Sequence, residues 1–116
     1  MKGGIVREIE RRILADFMDL LILSMMDNDD CAVGGYDVIK YLHKRFHFLP
    51  SPGSIYSHLY SLERKGLITA TETGQKRVYS LTEKGREFIR KLNCHKEQIG
   101  KFLVNAIFKN GFKDSQ

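Results

Sequence analysis

A mainly α-helical fold with one small β-hairpin is predicted by three observations. Apolar residues recur every three or four positions in four separate stretches. Between the third and fourth stretches, β-branched and aromatic residues flank a short glycine turn. The segment Leu49-Pro50-Ser51-Pro52-Gly53 marks a sharp boundary between the second and third. The chain has 116 residues, 42% hydrophobic and 28% charged, a balance that fits one globular domain and argues against disorder. The expected division is 1–82 for a domain holding the first three helical stretches and the hairpin and 83–116 for a terminal helix and tail, together one compact unit.

The first stretch reads as a single amphipathic helix over about 5–26, with Ile5, Ile9, Ile13, Phe17, Leu20, Leu21 and Met25 in its stripe. Leu14, Ile22, Leu23 and Met26 widen that stripe and predict burial on more than one side. The acidic run Asp27-Asn28-Asp29-Asp30 stops the helix, and a loop follows through Gly34-Gly35. A second helix spans about 36–47, with Tyr36, Ile39, Leu42 and Phe46 on one side. Ser51 is a good N-cap for the third helix and Pro52 suits its first position, where a missing N–H costs nothing. Ile55, Leu59 and Leu62 form its apolar edge, and Gly66 stops it. Residues 67–73 and 77–81 pair as a hairpin around Gly74-Gln75-Lys76. Thr82 caps a final helix that runs as one piece from about 83 to 108.

Three helices followed by a two-stranded hairpin is the winged helix-turn-helix arrangement, in which the third helix enters the major groove and the hairpin lies along the backbone. The charge distribution agrees. Residues 1–39 carry net −4 and residues 40–116 net +9, so the basic part suits a polyanion.

On that fold, Ile55, Leu59 and Leu62 face inward and Ser54, Ser57, His58 and Ser61 face largely outward. Serine and histidine contact phosphates or base edges, but neither is the bidentate arginine reader of guanine, which shifts specificity toward DNA shape. Tyr56 suits either the core or a phosphate contact. Ser51 and the free N–H groups after it can cap, bind a phosphate, or do both. Lys76 and Arg77 give the hairpin a basic tip, suited to backbone contact and equally to protecting a sheet edge. Arg64 and Lys65 end the third helix, where the helix dipole alone explains them and a phosphate contact is the further option.

Other chemistry finds little support. His43 and His47 have a helical metal-binding spacing but no carboxylate or cysteine beside them, so neither metal nor cofactor is expected. No nucleophile elbow, metalloprotease motif or phosphate loop is present, which argues against an enzyme. Cys31 and Cys94 have no spacing motif and read as reduced, packed thiols. The chain begins in charge rather than a signal-peptide core, and no apolar run approaches the roughly 18 residues of a membrane span. A cytoplasmic protein is the expectation.

The final helix carries Leu92, Ile99, Leu103, Ala106 and Ile107 in a stripe, bordered by Phe88 and Phe102 and followed by Phe108 and Phe112. A winged-helix domain whose core is already filled cannot bury that stripe, so a second copy is the expected partner.

Four segments carry a family resemblance: Gly35-Tyr36-Asp37-Val38-Ile39, Ser51-Pro52-Gly53-Ser54-Ile55-Tyr56, Leu59-Tyr60-Ser61-Leu62-Glu63-Arg64-Lys65-Gly66-Leu67-Ile68 and Arg77-Val78-Tyr79-Ser80-Leu81-Thr82-Glu83-Lys84-Gly85. In this order they resemble the PadR-like winged-helix transcriptional regulators over roughly residues 18–92. The resemblance implies a homodimer on double-stranded DNA that represses transcription, its contact made by the first and last helices. Ile9, Ile13 and Phe17 then join the terminal stripe at the interface. The chain looks like the small branch of the family, with one C-terminal helix. It departs from the pattern in its longer, acidic 27–34 loop, in Gly34 where the family often has histidine, and in its first 17 residues. Two rivals stand beside this reading. One is a winged-helix protein-contact module that binds no DNA. The other is a sensor gated by a small-molecule effector, with methionines and phenylalanines lining a cavity.

Overall fold

The computed structural model describes residues 3–28 and 32–108. Asp29, Asp30, Cys31 and Phe112, on which expectations had been placed, lie outside the described residues. Six helices and one hairpin follow in order: α1 Gly4–Asp16, α2 Met18–Asn28, α3 Gly35–Phe46, α4 Pro52–Arg64, β1 Ile68–Thr73, β2 Lys76–Leu81, α5 Glu83–Cys94 and α6 Lys96–Ile107. The predicted fold class, mainly helical with a small hairpin in the winged helix-turn-helix order, is the observed one.

The core forms where α2, α3 and α4 converge. Ile22, Leu23, Val38, Leu42, Ile55 and Leu59 are fully or almost fully buried there. Each such side chain stabilises the fold by roughly 1.5–3 kcal/mol relative to exposure. Met18, Met25 and Met26 belong to the same core and fill packing space within it. Ile68, Tyr79 and Leu81 close it from the hairpin, and Ile89 from α5. Among the described residues, no buried side-chain polar atom lacks a hydrogen-bond partner.

Two helices expected to be continuous are each broken once. The 5–26 stretch bends at Phe17, whose backbone leaves helical values (φ −107°, ψ 28°). Its two halves have different neighbours. In α2, Met18, Ile22, Leu23, Met25 and Met26 are all buried, whereas α1 buries only Leu14. The widened stripe was the trace of this change. Arg7 ties α1 to the body by donating to the Phe46 carbonyl (3.1 Å) and to that of His47. These acceptors close the C-terminal end of α3, which favours a cation, and His47 takes the left-handed conformation there (φ 54°).

The 83–108 stretch bends at His95 (φ −107°, ψ 13°). The His95 N–H donates to the Leu92 carbonyl at 3.1 Å, and its imidazole Nδ1 bonds the Lys91 carbonyl at 2.8 Å. The ring thus replaces the helical bond that the backbone gives up, and the apolar periodicity continues across the bend unaltered.

The hairpin pairs Ile68 with Leu81 through Thr73 with Lys76, leaving Gly74-Gln75 as a two-residue loop. Gly74 has φ +64° at the first loop position, where the strand twist requires it. Val33 extends the sheet by a single residue on the other side of β2, exchanging both backbone hydrogen bonds with Tyr79 (2.9 and 2.7 Å).

The hairpin is anchored by the segment that follows it. Thr82 Oγ1 accepts from the Gly85 N–H (3.0 Å) and donates to the Gly66 carbonyl (2.6 Å). The Thr82 N–H donates to the Leu67 carbonyl (3.1 Å) and Lys84 Nζ to that of Lys65 (3.0 Å). A Cβ at position 85 would stand 2.1 Å from the Leu67 carbonyl oxygen, so only glycine fits. Gly85→Ala is therefore expected to destabilise the fold by about 2–3 kcal/mol, by forcing α5 off the α4 terminus. Urea denaturation at fixed protein concentration measures this.

Candidate nucleic-acid interface

Helix α4 starts where its sequence dictates. Ser51 Oγ accepts from the Ser54 N–H at 3.2 Å and Pro52 takes the first helical position. Ile55, Leu59 and Leu62 face the core, which turns Tyr56, Ser57, Tyr60, Arg64 and Lys65 to solvent. Ser54, His58 and Ser61 are half-buried on the flanks of that face rather than at its centre.

Tyr60, ambiguous by sequence and absent from the expected contact set, lies on the surface. It is 62% exposed, and the Arg64 guanidinium lies 5.3 Å from its ring centroid. The phase of Ile55, Leu59 and Leu62 carries the signal, since positions 53, 57, 60 and 64 fall opposite them. Tyr56 is partly packed and partly exposed. Its ring covers the start of α3 so closely that a Cβ on Gly35 would be 2.5 Å from Cε1, yet it remains 49% exposed. Tyr36, also exposed, carries Lys40 Nζ 5.3 Å from its ring centroid.

The hairpin presents its two cations differently. Lys76 is exposed beside the loop. Arg77 is held on three sides. Its Nη2 donates to both carboxylate oxygens of Glu63 (3.1 and 3.0 Å), its Nε donates to Tyr79 Oη (3.3 Å), and its Nη1 pairs with Glu72 at 3.6 Å. The hydrogen bonds to Tyr79 and Glu63, with the Glu63 charge, hold the Arg77 pKa above its ordinary value. Glu63 lies on α4 and Arg77 on β2, so the pair joins helix to hairpin.

The remaining expected residues are dispersed. Leu92 packs half-buried against the domain's own core. Ile9, Ile13, Phe17, Ile99, Leu103, Ala106 and Ile107 are exposed. His43 and His47 are exposed, and no group of three or more metal-ligating side chains occurs among the described residues. Cys94 is an exposed free thiol rather than a packed one. No helix among the described residues is long and apolar enough to cross a membrane.

A capped helix whose polar and aromatic face lies outside a filled core, with a hairpin bound beside it, defines the winged helix-turn-helix class of regulators. Residues 22–91, more than half of the chain, match the Transcriptional regulator PadR-like family, and the chain belongs to that family. Its members are regulators of transcription and not enzymes. Over 83 residues the chain is 35% identical to the transcriptional regulator YqjI of Escherichia coli K12, covering 69% of this chain and 38% of that protein. The chain thus spans less than two-fifths of the curated relative's length. A PadR family transcription regulator from Clostridium difficile superposes with a TM-score of 0.60 at 27% identity, covering 75% of this chain and 98% of that one. Bacillus subtilis PadR, solved in complex with operator DNA, superposes with a TM-score of 0.56 at 19% identity, covering 84% of this chain and 64% of that one.

Capping and phosphate binding at Ser51 can be separated. Ser51→Ala is expected to cost about 1 kcal/mol, whereas Ser51→Asp, an equally good cap, leaves stability within about 0.5 kcal/mol of the parent. Urea denaturation of both variants checks the pair. Only the aspartate then places a negative charge on the surface at issue.

Proposed function

We propose that this chain is a dimeric, sequence-specific DNA-binding regulator that acts in the cytoplasm and represses transcription by occupying its operator. The observation that carries the reading is the exposed α4 face of Tyr56, Ser57, Tyr60 and Arg64 beside a hairpin ending in Lys76. Aromatic rings, hydroxyls and cations in one strip suit base edges and phosphates, and a basic hairpin suits the flanking backbone. The Bacillus subtilis neighbour of this fold is held on operator DNA, which supports the same mode of contact. Residues 51, 54, 56, 57, 58, 61, 64, 65 and 76 then form the contact set, with half-buried Ser54, His58 and Ser61 at its margins.

The dimer rests on apolar surface that has no partner among the described residues. On α1, Ile5 is 74% exposed, and Val6, Ile9, Ile13 and Phe17 continue its stripe. On α6 no residue is buried, Phe102 is 72% exposed, and Ile99, Leu103, Val104 and Ile107 are exposed with it. The radius of gyration is 16.2 Å, against about 13 Å for a compact domain of roughly this length. A second copy covering these helices with its own is a self-complementary arrangement. It would set two α4 helices about 34 Å apart on one DNA face, matching a two-fold symmetric site.

Fluorescence anisotropy on the duplex upstream of the protein's own gene, beside a scrambled duplex, tests the reading. Tight binding to the first and weaker, steeply salt-dependent binding to the second is the expected result. Equal binding to both removes sequence specificity, and no binding to either transfers the fold to a protein-contact role. Lys76→Ala is expected to weaken binding to every duplex alike and to lower the salt slope by about one unit. Replacing Leu103 and Ile107 together with Asp is expected to give monomers and abolish tight binding; a stable dimer in sedimentation would refute the α6 interface.

A further inference from the structure

Arg77 and Lys76 are adjacent in sequence, but Arg77 turns its guanidinium toward partners within the fold. We infer that Glu63 is a specificity-determining residue, holding Arg77 away from DNA phosphates and fixing the hairpin against α4. This rests on the DNA-binding reading above.

The charge arrangement leads there. Arg77 contributes one positive charge to the notch between α4 and the hairpin, and Glu63 and Glu72 contribute two negative ones. The notch is therefore net negative beside a surface that meets a polyanion. Two nitrogens of the guanidinium already have hydrogen-bond acceptors, Tyr79 at Nε and Glu63 at Nη2, and Glu72 lies 3.6 Å from Nη1 as an ion pair. A phosphate could take the Nη2 edge of Arg77, which Glu63 engages with both carboxylate oxygens, only by displacing Glu63, whose carboxylate would then face the phosphate unpaired. Tyr79 is 5% exposed and locked into the sheet by Val33, so the support of the Arg77 Nε does not move with the hairpin tip.

Two consequences separate specific from nonspecific binding. Nonspecific affinity is set almost wholly by phosphate neutralisation, so withholding one cation lowers it directly. Specific affinity also needs α4 and the hairpin at a fixed angle, to meet groove and backbone together, and the Glu63–Arg77 pair supplies that angle. Glu63 thus trades nonspecific affinity for discrimination.

The test uses the full chain on two 30-base-pair duplexes, one of mixed random sequence and one selected from a random pool as the tightest binder. Glu63→Gln is expected to tighten binding to the mixed duplex roughly three- to tenfold and to steepen its salt slope by about one unit. Affinity for the selected duplex is unchanged or weaker, so the ratio between the two falls. Glu72→Gln removes the same charge and keeps the Glu63 pair, and it leaves that ratio as in the parent. Arg77→Ala is expected to weaken binding to the selected duplex with its salt slope unchanged. The inference is overturned if Glu63→Gln leaves the mixed-duplex slope as it was, if Glu72→Gln matches Glu63→Gln on both duplexes, or if Arg77→Ala lowers the slope by one. A parent protein that binds neither duplex at any salt overturns the DNA-binding reading, and this one with it. A parent that binds both, with Glu63→Gln indistinguishable from it, overturns this inference alone.

Discussion

The Thr82 hydroxyl is the constraint from which the DNA-facing geometry derives. It accepts from the Gly85 N–H, starting α5, and donates to the Gly66 carbonyl, ending α4. One side chain therefore caps the helix after the hairpin and holds the end of the helix before it. Leu67 adds its carbonyl to the Thr82 N–H, and Gly85 lets α5 approach that carbonyl at a distance no Cβ would tolerate. The hairpin leaves and returns to this junction, so its base has no freedom to pivot. A polar side chain with both valences filled does here what an apolar contact could not, because it fixes direction as well as distance.

The rest of the hairpin is positioned by two further contacts of different kinds. Val33 pairs with Tyr79 and gives β2 a neighbour on its second side. Glu63 and Arg77 join the hairpin to α4 across the surface. An exposed ion pair is a weak source of stability, screened by salt and opposed by side-chain entropy. Its importance here is directional. Arg77 donates from Nη2 to both Glu63 oxygens on α4 and from Nε to Tyr79 on its own strand, so its side chain favours one orientation of β2 relative to α4. The same arrangement leaves Lys76 as the cation of the hairpin tip without a partner of this kind, although the two residues read alike in sequence.

Most of the fold was legible because its local signals agree with its packing. Ser51 and Pro52 start α4, Gly74 sits where the loop needs φ above zero, and Thr82 caps α5 as its sequence position suggests. The two missed bends share one physical cause. At Phe17 and His95 the apolar period runs on while the surroundings change, so periodicity alone cannot register the break. Neither position carries the proline or glycine that usually announces one. The Arg7 tie to α3 spans forty residues and depends on carbonyl groups, which have no sequence signature. The tie that holds Arg77 was illegible for a similar reason. Its partner Glu63 lies fourteen residues away on another element, and only the folded register brings them together.

The described residues divide into a body that is internally complete and two terminal helices that are not. Within the body the buried side-chain polar atoms are paired and the inward apolar side chains of α2, α3 and α4 are enclosed. Outside it, α1 and α6 expose isoleucine and phenylalanine in stripes that no other described element covers. Yet neither helix is loosely attached to what it would control. Arg7 binds α1 to the end of α3, immediately before the segment that caps α4. His95 continues α5 into α6, and α5 begins at the Thr82 junction. In the proposed dimer, covering the two stripes therefore acts on α4 from both of its ends. Association at the termini and alignment of the recognition helix then become one event, and the monomer's unpaired apolar surface is what makes the second depend on the first.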